Sequence, residues 1–235
     1  MSGASRNWAV IPAAGVGRRV GAPIPKQYLE LAGRRVIDHC LSVFVQHPAI
    51  SGIVVPLDSH DAYWPDTEFA DHPSVRRCNG GSERCHSVLN ALDTLAEHAM
   101  EQDWVLVHDA ARPCLRREDL ERLLEMVPLD PVGGILAVPV RDTMKRSEGL
   151  RHIVQTVARD GLWHAFTPQM FRLGPLRRVL RQAIELDLLV TDDANAVELA
   201  GLSPLLVEGH ADNIKITRPE DLPLALFHLQ QQGRL

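Results

Sequence analysis

Arg18, Arg19 and Lys26 crowd cations beside a run of very small residues, Ala13, Ala14, Gly15 and Gly17, in the stretch WAVIPAAGVGRRVGAPIPKQY from Trp8 to Tyr28. Residues with almost no side chain let the backbone turn sharply and bring its N–H groups close to a bulky anion. Pro23 and Pro25 stiffen the path to the lysine. The chemistry this composition suits is the holding of phosphate, and a triphosphate would match so many cations.

Other patterns compete for the same residues. A dinucleotide-binding fingerprint needs G-x-G-x-x-G opening into a helix, but Gly15, Gly17 and Gly21 are spaced one residue too far and prolines follow. A phosphate-binding P-loop needs Lys and Ser/Thr directly after its last glycine, where this chain has Arg18 and Arg19. A plain strand-to-helix connection with solvated basic residues is the remaining alternative.

The order strand, A-A-G-x-G-x-R, then P-K, with PAAGVGRR and PKQY in full, resembles the nucleotidyltransferase signature. Within that superfamily it is similar to the 2-C-methyl-D-erythritol 4-phosphate cytidylyltransferases of the non-mevalonate isoprenoid pathway. Later motifs, GGSER, HDAARP and ADNIK, carry the likeness from Trp8 to about Leu229. The resemblance implies a Rossmann-like fold, CTP and a polyol phosphate as substrates, and Mg²⁺ as cofactor. It implies Arg19, Lys26 and Lys215 as catalytic cations, and Ala13, Ala14 and Gly15 as backbone contacts to the nucleotide. Gly81, Ser82 and Ser87 would read cytosine and ribose, and Asp109, shared by nucleotide, acceptor and metal, would be the magnesium-side carboxylate. Arg112, Arg141, Thr143 and Arg159 would hold the acceptor, Arg159 from across a homodimer. Two departures stand out: His86 where an acidic residue is expected, and Asn195 where serine is usual. No cyclodiphosphate synthase domain follows, so a monofunctional enzyme is expected.

Such a reaction needs no protein nucleophile, because a phosphate oxygen of the acceptor can attack the α-phosphorus directly. The protein must instead align two anions and neutralise the charge gathering on phosphorus and pyrophosphate. No Ser/His/Asp or Cys/His pairing is required. Alternatives are the same transfer to ribitol 5-phosphate, with residues 140–159 deciding, and a non-catalytic nucleotide-binding regulator.

The elements that must position these residues are legible as alternating patterns. Apolar runs at Trp8–Ile11, Ile53–Leu57, Trp104–Val107, Gly134–Pro139 and Leu205–Val207 read as strands, with a weaker one at Val75–Cys78 and another at Asn213–Ile216 carrying Lys215. Helical spacing appears at Val36–Phe44, from Glu83 to Leu95, at Leu120–Val127 and at Leu176–Ile184. The sum predicts a mainly parallel, doubly wound α/β sheet with helices on both faces. Its ligand-binding loops belong at the carboxyl ends of the strands, where His108 and Asp109 follow Val107.

From Val140 to Val157 charged residues dominate, and the sparse alternation of Met144, Ile153, Val154 and Val157 suggests a two-stranded ribbon turning near Glu148 and Gly149. Gly161 to Pro168 reads as an aromatic core segment, with His164 structural. Asp192 and Asp193 suit a helix N-terminus, and Thr217 with Glu220 makes a capping-box pattern before the last helix.

The 235 residues suit one domain, 1–235, with an arm at about 140–159. A net charge of −5 argues against a nucleic-acid partner, and with no basic start leading into an apolar run before Trp8 and no run long enough to span a bilayer, neither a signal peptide nor a membrane span is expected. Cys40, Cys78, Cys85 and Cys114 lack metal or disulfide spacing, and adjacent Cys85 and His86 should point different ways. A cytoplasmic protein with reduced thiols is expected.

Overall fold

The computed structural model describes residues 5–15, 24–149 and 151–235, so Arg18 and Arg19 lie outside the described residues. In chain order it runs β1 (Asn7–Val10), a small antiparallel pair β2 (Glu30–Leu31) and β3 (Arg34–Arg35), α1 (Val36–Val45), β4 (Ile50–Leu57), β5 (Val75–Asn79), α2 (Arg84–Leu95), β6 (Trp104–Val107) and α3 (Arg117–Met126). It continues with β7 (Gly133–Pro139), β8 (Met144–Glu148), β9 (His152–Val157), β10 (Trp163–Arg172), α4 (Leu173–Glu185), α5 (Asp193–Leu199), β11 (Leu205–Glu208) and α6 (Asp221–Gln231). Seven strands form one sheet in the order β11-β7-β10-β6-β1-β4-β5. β1 pairs in parallel with β4 and β6, β4 with β5, and β11 with β7. Only β10 is reversed, antiparallel to both β6 and β7.

Alternation along the strands feeds two cores. On β6, Trp104 and Leu106 pack with Ile37, Leu41, Phe44, Leu120 and Leu123, while Val105 and Val107 pack with Val88, Leu92, Leu176 and Leu180. Helices α1 and α3 therefore cover one face and α2 and α4 the other, as expected for a parallel sheet buried on both sides. Each such Leu or Ile contributes about 1.5–3 kcal/mol on full burial.

Three local expectations are corrected. The segment Gly161 to Pro168 is mostly strand: Trp163 and Phe166 are half-buried, but His164 is exposed, not a core histidine, and β10 runs on through Gln169 to Arg172. Polar Thr167 and Gln169 with Pro168 interrupt the apolar run that would announce a strand. Residues 213–216 form no ladder, although the Ile216 N–H donates to Ala111 O at 2.8 Å and ties the segment beside the end of β6. At α6 the reciprocal Thr217–Glu220 box is absent; Asp221 Oδ2 instead accepts from the N–H groups of Thr217 at 2.7 Å and Arg218 at 2.8 Å. Asp192 does cap α5, accepting from the Asn195 N–H at 2.8 Å.

The ribbon is present. β8 and β9 pair antiparallel and are exposed along almost their whole length, with Gly149 at φ +52° and Arg151 at φ +65° in the turn. Val140 N–H donates to Leu162 O at 2.9 Å and closes its base.

Candidate active site

The carboxyl ends of β1, β4, β5 and β6 open onto a cavity of about 760 Å³. It brings together Ala13, Ala14, Gly15, Lys26, Gly81, Ser82, Ser87, Asp109 and Lys215, nearly all the nucleotide-side residues expected from sequence. Local geometry explains the close approach of its walls. A Cβ on Gly80 would sit 2.3 Å from Ala14 Cβ, and one on Gly81 would sit 2.3 Å from His86 Cβ. The turn after β5 therefore seats against the loop after β1 only because Gly80 has no side chain, while Gly81 lets the first turn of α2 fold back onto the same turn.

The loop after β1 is tethered from within. Gln27 is buried and donates through Nε2 to Ala13 O at 2.6 Å and Gly15 O at 3.0 Å. The Ala13 N–H donates to Pro56 O at 3.0 Å, which ties this loop to the end of β4. Lys26 opens a short 3-10 turn after Pro25, and its ammonium donates to Ile216 O at 3.0 Å, beside Lys215 in the chain. Ser87 is also engaged locally: its hydroxyl accepts from the Gly81 N–H at 3.0 Å and donates to Glu83 O at 3.1 Å.

Asp109 is the electrostatic centre. Oδ2 lies 2.8 Å from Lys215 Nζ and 3.3 Å from Arg112 Nε, and Oδ1 lies 3.2 Å from Arg84 Nε. Burial alone would push this carboxyl up, but Arg84, Lys215 and Arg112 reverse the effect and hold it far below the usual carboxylate range. Arg112 is nearly buried, also donates to Asn213 O at 2.7 Å, and stacks 4.9 Å over the Phe166 ring. Its guanidinium is thus held in place by Asp109, Asn213 O and the Phe166 ring.

Behind Asp109 a polar chain fixes the strand end. Asp109 N–H donates to Thr167 Oγ1 at 3.1 Å, and Thr167 Oγ1 lies 2.9 Å from His108 Nδ1. His108 Nε2 is 3.0 Å from Arg112 O, and a carbonyl only accepts, so Nε2 carries the proton and Nδ1 accepts from the threonine. Burial lowers the His108 pKa to about 4 and keeps the ring neutral.

Arg141, Thr143 and Arg159 do not line the cavity; they are exposed at the base of the ribbon, where Arg159 donates to Arg141 O. Sequence reasoning missed Gln27, Arg84, Thr167 and Asn213. The first two stand inside PKQY and GGSER, so their motifs pointed at them; the others depend on contacts between segments distant in sequence, Asn213 Nδ2 donating to Thr167 O at 2.7 Å. Of the departures, Asn195 Oδ1 accepts from Thr191 N–H at 3.2 Å, and His86 Nδ1 lies 3.3 Å from Ser82 Oγ, so both act locally. Glu83, Cys85 and His86 do converge, with ligand atoms within 4.8 Å of one another, contrary to the expected divergence. Glu83 is still extended before α2 begins, which folds the three together, but the positive end of the helix disfavours a cation there.

Comparison with known proteins places this geometry. The family model for 2-C-methyl-D-erythritol 4-phosphate cytidylyltransferase matches residues 8–231. The chain belongs to that family. The cytidylyltransferase of Pseudomonas putida (strain GB-1) is 56% identical over 216 residues, 92% of each chain, and that of Ectopseudomonas mendocina (strain ymp) is 57% identical over the same span. The crystal structure of the Francisella tularensis cytidylyltransferase superposes with a TM-score of 0.84 at 38% identity, covering 96% of this chain and 100% of that one. The cytidylyltransferase match extends from β1 into α6 and so takes in the loop after β1, the Asp109 cluster and the ribbon.

Proposed function

We propose that the protein transfers the cytidylyl group of CTP to 2-C-methyl-D-erythritol 4-phosphate, giving 4-diphosphocytidyl-2-C-methyl-D-erythritol and pyrophosphate, a step of isoprenoid precursor biosynthesis. The observation that carries this reading is the convergence of Lys26, Lys215 and Arg84 on one glycine-walled cavity in a chain of this family. The loop at Ala14 and Gly15 would approach the triphosphate, and Lys26 and Lys215, with Arg19, would neutralise the charge that grows on the α-phosphorus and the leaving pyrophosphate. Acceptor phosphate attacks directly, so the chain contributes alignment and charge, not a nucleophile.

Magnesium is the proposed cofactor, and when bound it would neutralise phosphate oxygens. Asp109 alone fits it poorly, because both carboxylate oxygens already face cations. Phosphate oxygens of the nucleotide suit the ion better. Homodimerisation through the ribbon is part of the same reading. Ile153 and Val154 are 66% and 55% exposed there with no core beneath them, and a lone two-stranded ribbon is marginal in water. A partner subunit would cover them and bring Arg141, Thr143 and Arg159 to an acceptor phosphate. No helix among the described residues is long and apolar enough to cross a membrane, and unpaired Cys40, Cys78, Cys85 and Cys114 suit a reducing cytoplasm.

The test is pyrophosphate release by the purified protein with Mg²⁺, CTP and each polyol phosphate in turn. Turnover with 2-C-methyl-D-erythritol 4-phosphate is expected. Release with neither acceptor would sink the enzyme reading, and release only with ribitol 5-phosphate would reassign the acceptor.

A further inference from the structure

Arg84 carries a second ion pair that points away from the cavity. Its Nη2 lies 2.8 Å from Asp193 Oδ2, while its Nε lies 3.2 Å from Asp109 Oδ1. The two carboxylates are far apart in sequence and are bridged by this one guanidinium. Asp193 has no exposed surface, and its Oδ1 has no hydrogen-bond partner among the described residues. Burying a carboxylate this way is costly, and Arg84 is the compensation.

The mount that holds Asp193 is rigid. It opens α5, whose first turn is bolted to β10: Gln169 Oε1 accepts from the Ala194 N–H at 2.9 Å, and Gln169 Nε2 donates to Asp192 at 2.8 Å. Gln169 in turn pairs with Val107 at the end of β6, two residues before Asp109. A long arginine at the wall of a phosphate-binding cavity would otherwise swing toward the ligand. The buried carboxylate behind Arg84 opposes that swing and keeps Nε on Asp109. Burial works against both partners: Asp193 and Asp109 together still raise the pKa of Arg84 above the ordinary value, whereas burial pushes the Asp193 carboxyl up and Arg84 offsets only part of that, so the pair stands on its 2.8 Å geometry.

We propose that Asp193 is a positioning residue for the transfer reaction: acting through Arg84, it fixes the carboxylate of Asp109, and with it the Lys215 ammonium, against the wall of the nucleotide cavity. The proposal rests on the cytidylyl-transfer reading of this site. It assigns no contact with substrate to Asp193 itself. Counting Asp109 and Asp193 against Arg84, Arg112 and Lys215, the cluster carries one net positive charge, and removing the Asp193 charge makes it more positive. Nucleotide binding should therefore survive the loss, while the alignment needed for turnover should not.

The experiment uses the full chain with Asp193→Asn, Arg84→Gln, the double variant and Arg84→Lys. Asp193→Asn is expected to lower kcat by roughly 10- to 100-fold with little rise in KM for CTP, the scale of a displacement near 1 Å. In the Arg84→Gln background the same change should cost almost nothing, because coupled residues are not additive. Arg84→Lys, a point charge that cannot span both carboxylates, should show the same split between kcat and KM even if Asp193→Asn fails to fold. Losses that multiply in the double variant, or wild-type kcat in Asp193→Asn or Arg84→Lys, would overturn the proposal. A crystal structure of Asp193→Asn gives a readout that does not depend on turnover: Arg84 is expected to have left Asp109, and Arg84 Nε still seated on Asp109 Oδ1 refutes the idea. An inactive wild type would instead refute the reaction assigned to the site, leaving the structural readout to decide the role of Asp193.

Discussion

The ammonium of Lys215 sits 2.8 Å from Oδ2 of Asp109, so the cation we propose for the transition state is held by a carboxylate that also faces Arg84 and Arg112. The pairing places Lys215 at the cavity wall before any phosphate arrives. Lys215→Ala is expected to lower kcat by about 10²- to 10³-fold, the usual cost of losing one donor to developing charge, with a much smaller effect on KM. Lys215→Arg should not restore the rate, since a planar fork cannot replace a point charge in this geometry. Steady-state rates settle it, and an unchanged kcat in the alanine variant removes Lys215 from the mechanism.

Gly80 faces Ala14 at a distance no Cβ tolerates. Gly80→Ala should force the turn after β5 away from the loop after β1, destabilise the fold by about 1–3 kcal/mol, and raise KM for CTP more than it lowers kcat. Urea denaturation with initial-rate kinetics checks both. A variant with wild-type stability and KM would show that the two loops do not need this contact.

His39 is fully buried and donates from Nε2 to Leu31 O at 2.7 Å, while Nδ1 has no partner among the described residues. Burial lowers its pKa in the fold below the ordinary value. The unfolded chain then binds more protons below about pH 6.5, so the contribution of neutral His39 is full above that pH and is lost as pH falls. Asp38, a carboxyl raised by burial, runs the other way, so the informative quantity is a difference. His39→Gln is expected to flatten the fall in Tm between pH 7 and pH 5 relative to wild type; parallel Tm curves would contradict it.

Ile153 and Val154 stand exposed on β9. If the ribbon is a dimer contact, Ile153→Asp with Val154→Asp should convert the protein to a monomer in sedimentation equilibrium and lower activity with little change in Tm. A wild-type protein that sediments as a monomer at assay concentrations would end that reading.

Legibility in the sequence followed the range of the interactions. The loop Ala13–Gly15, Lys26 and the GGSER turn were readable because glycine, proline and charge act over a few residues. The ribbon was readable from its thin alternation and its Glu148–Gly149 turn. β10 was not, because a strand buried by hydrogen-bonded Thr167 and Gln169 lacks an apolar run. Asn213–Ile216 misled in the opposite sense: Ile214 and Ile216 alternate like a strand, but that pattern only docks a loop under α6. Asp193 was legible as an N-terminal helix residue and not as a partner of Arg84, since nothing local reports which distant guanidinium will fold onto it.

Because β10 runs opposite to β6 and β7, the chain leaves the sheet at Pro139 and re-enters it at Trp163 along one edge. A parallel β10 would have required a crossover to the far edge, built from a dozen or more packed residues. The reversal makes residues 140–162 a cassette, joined to the scaffold at two adjacent strand ends and closed at its own base by the bond from Val140 to Leu162. Such a cassette can be exchanged or lengthened while the strands under the triphosphate loops keep their register. The scaffold that carries the cavity would then be untouched by change in the insert.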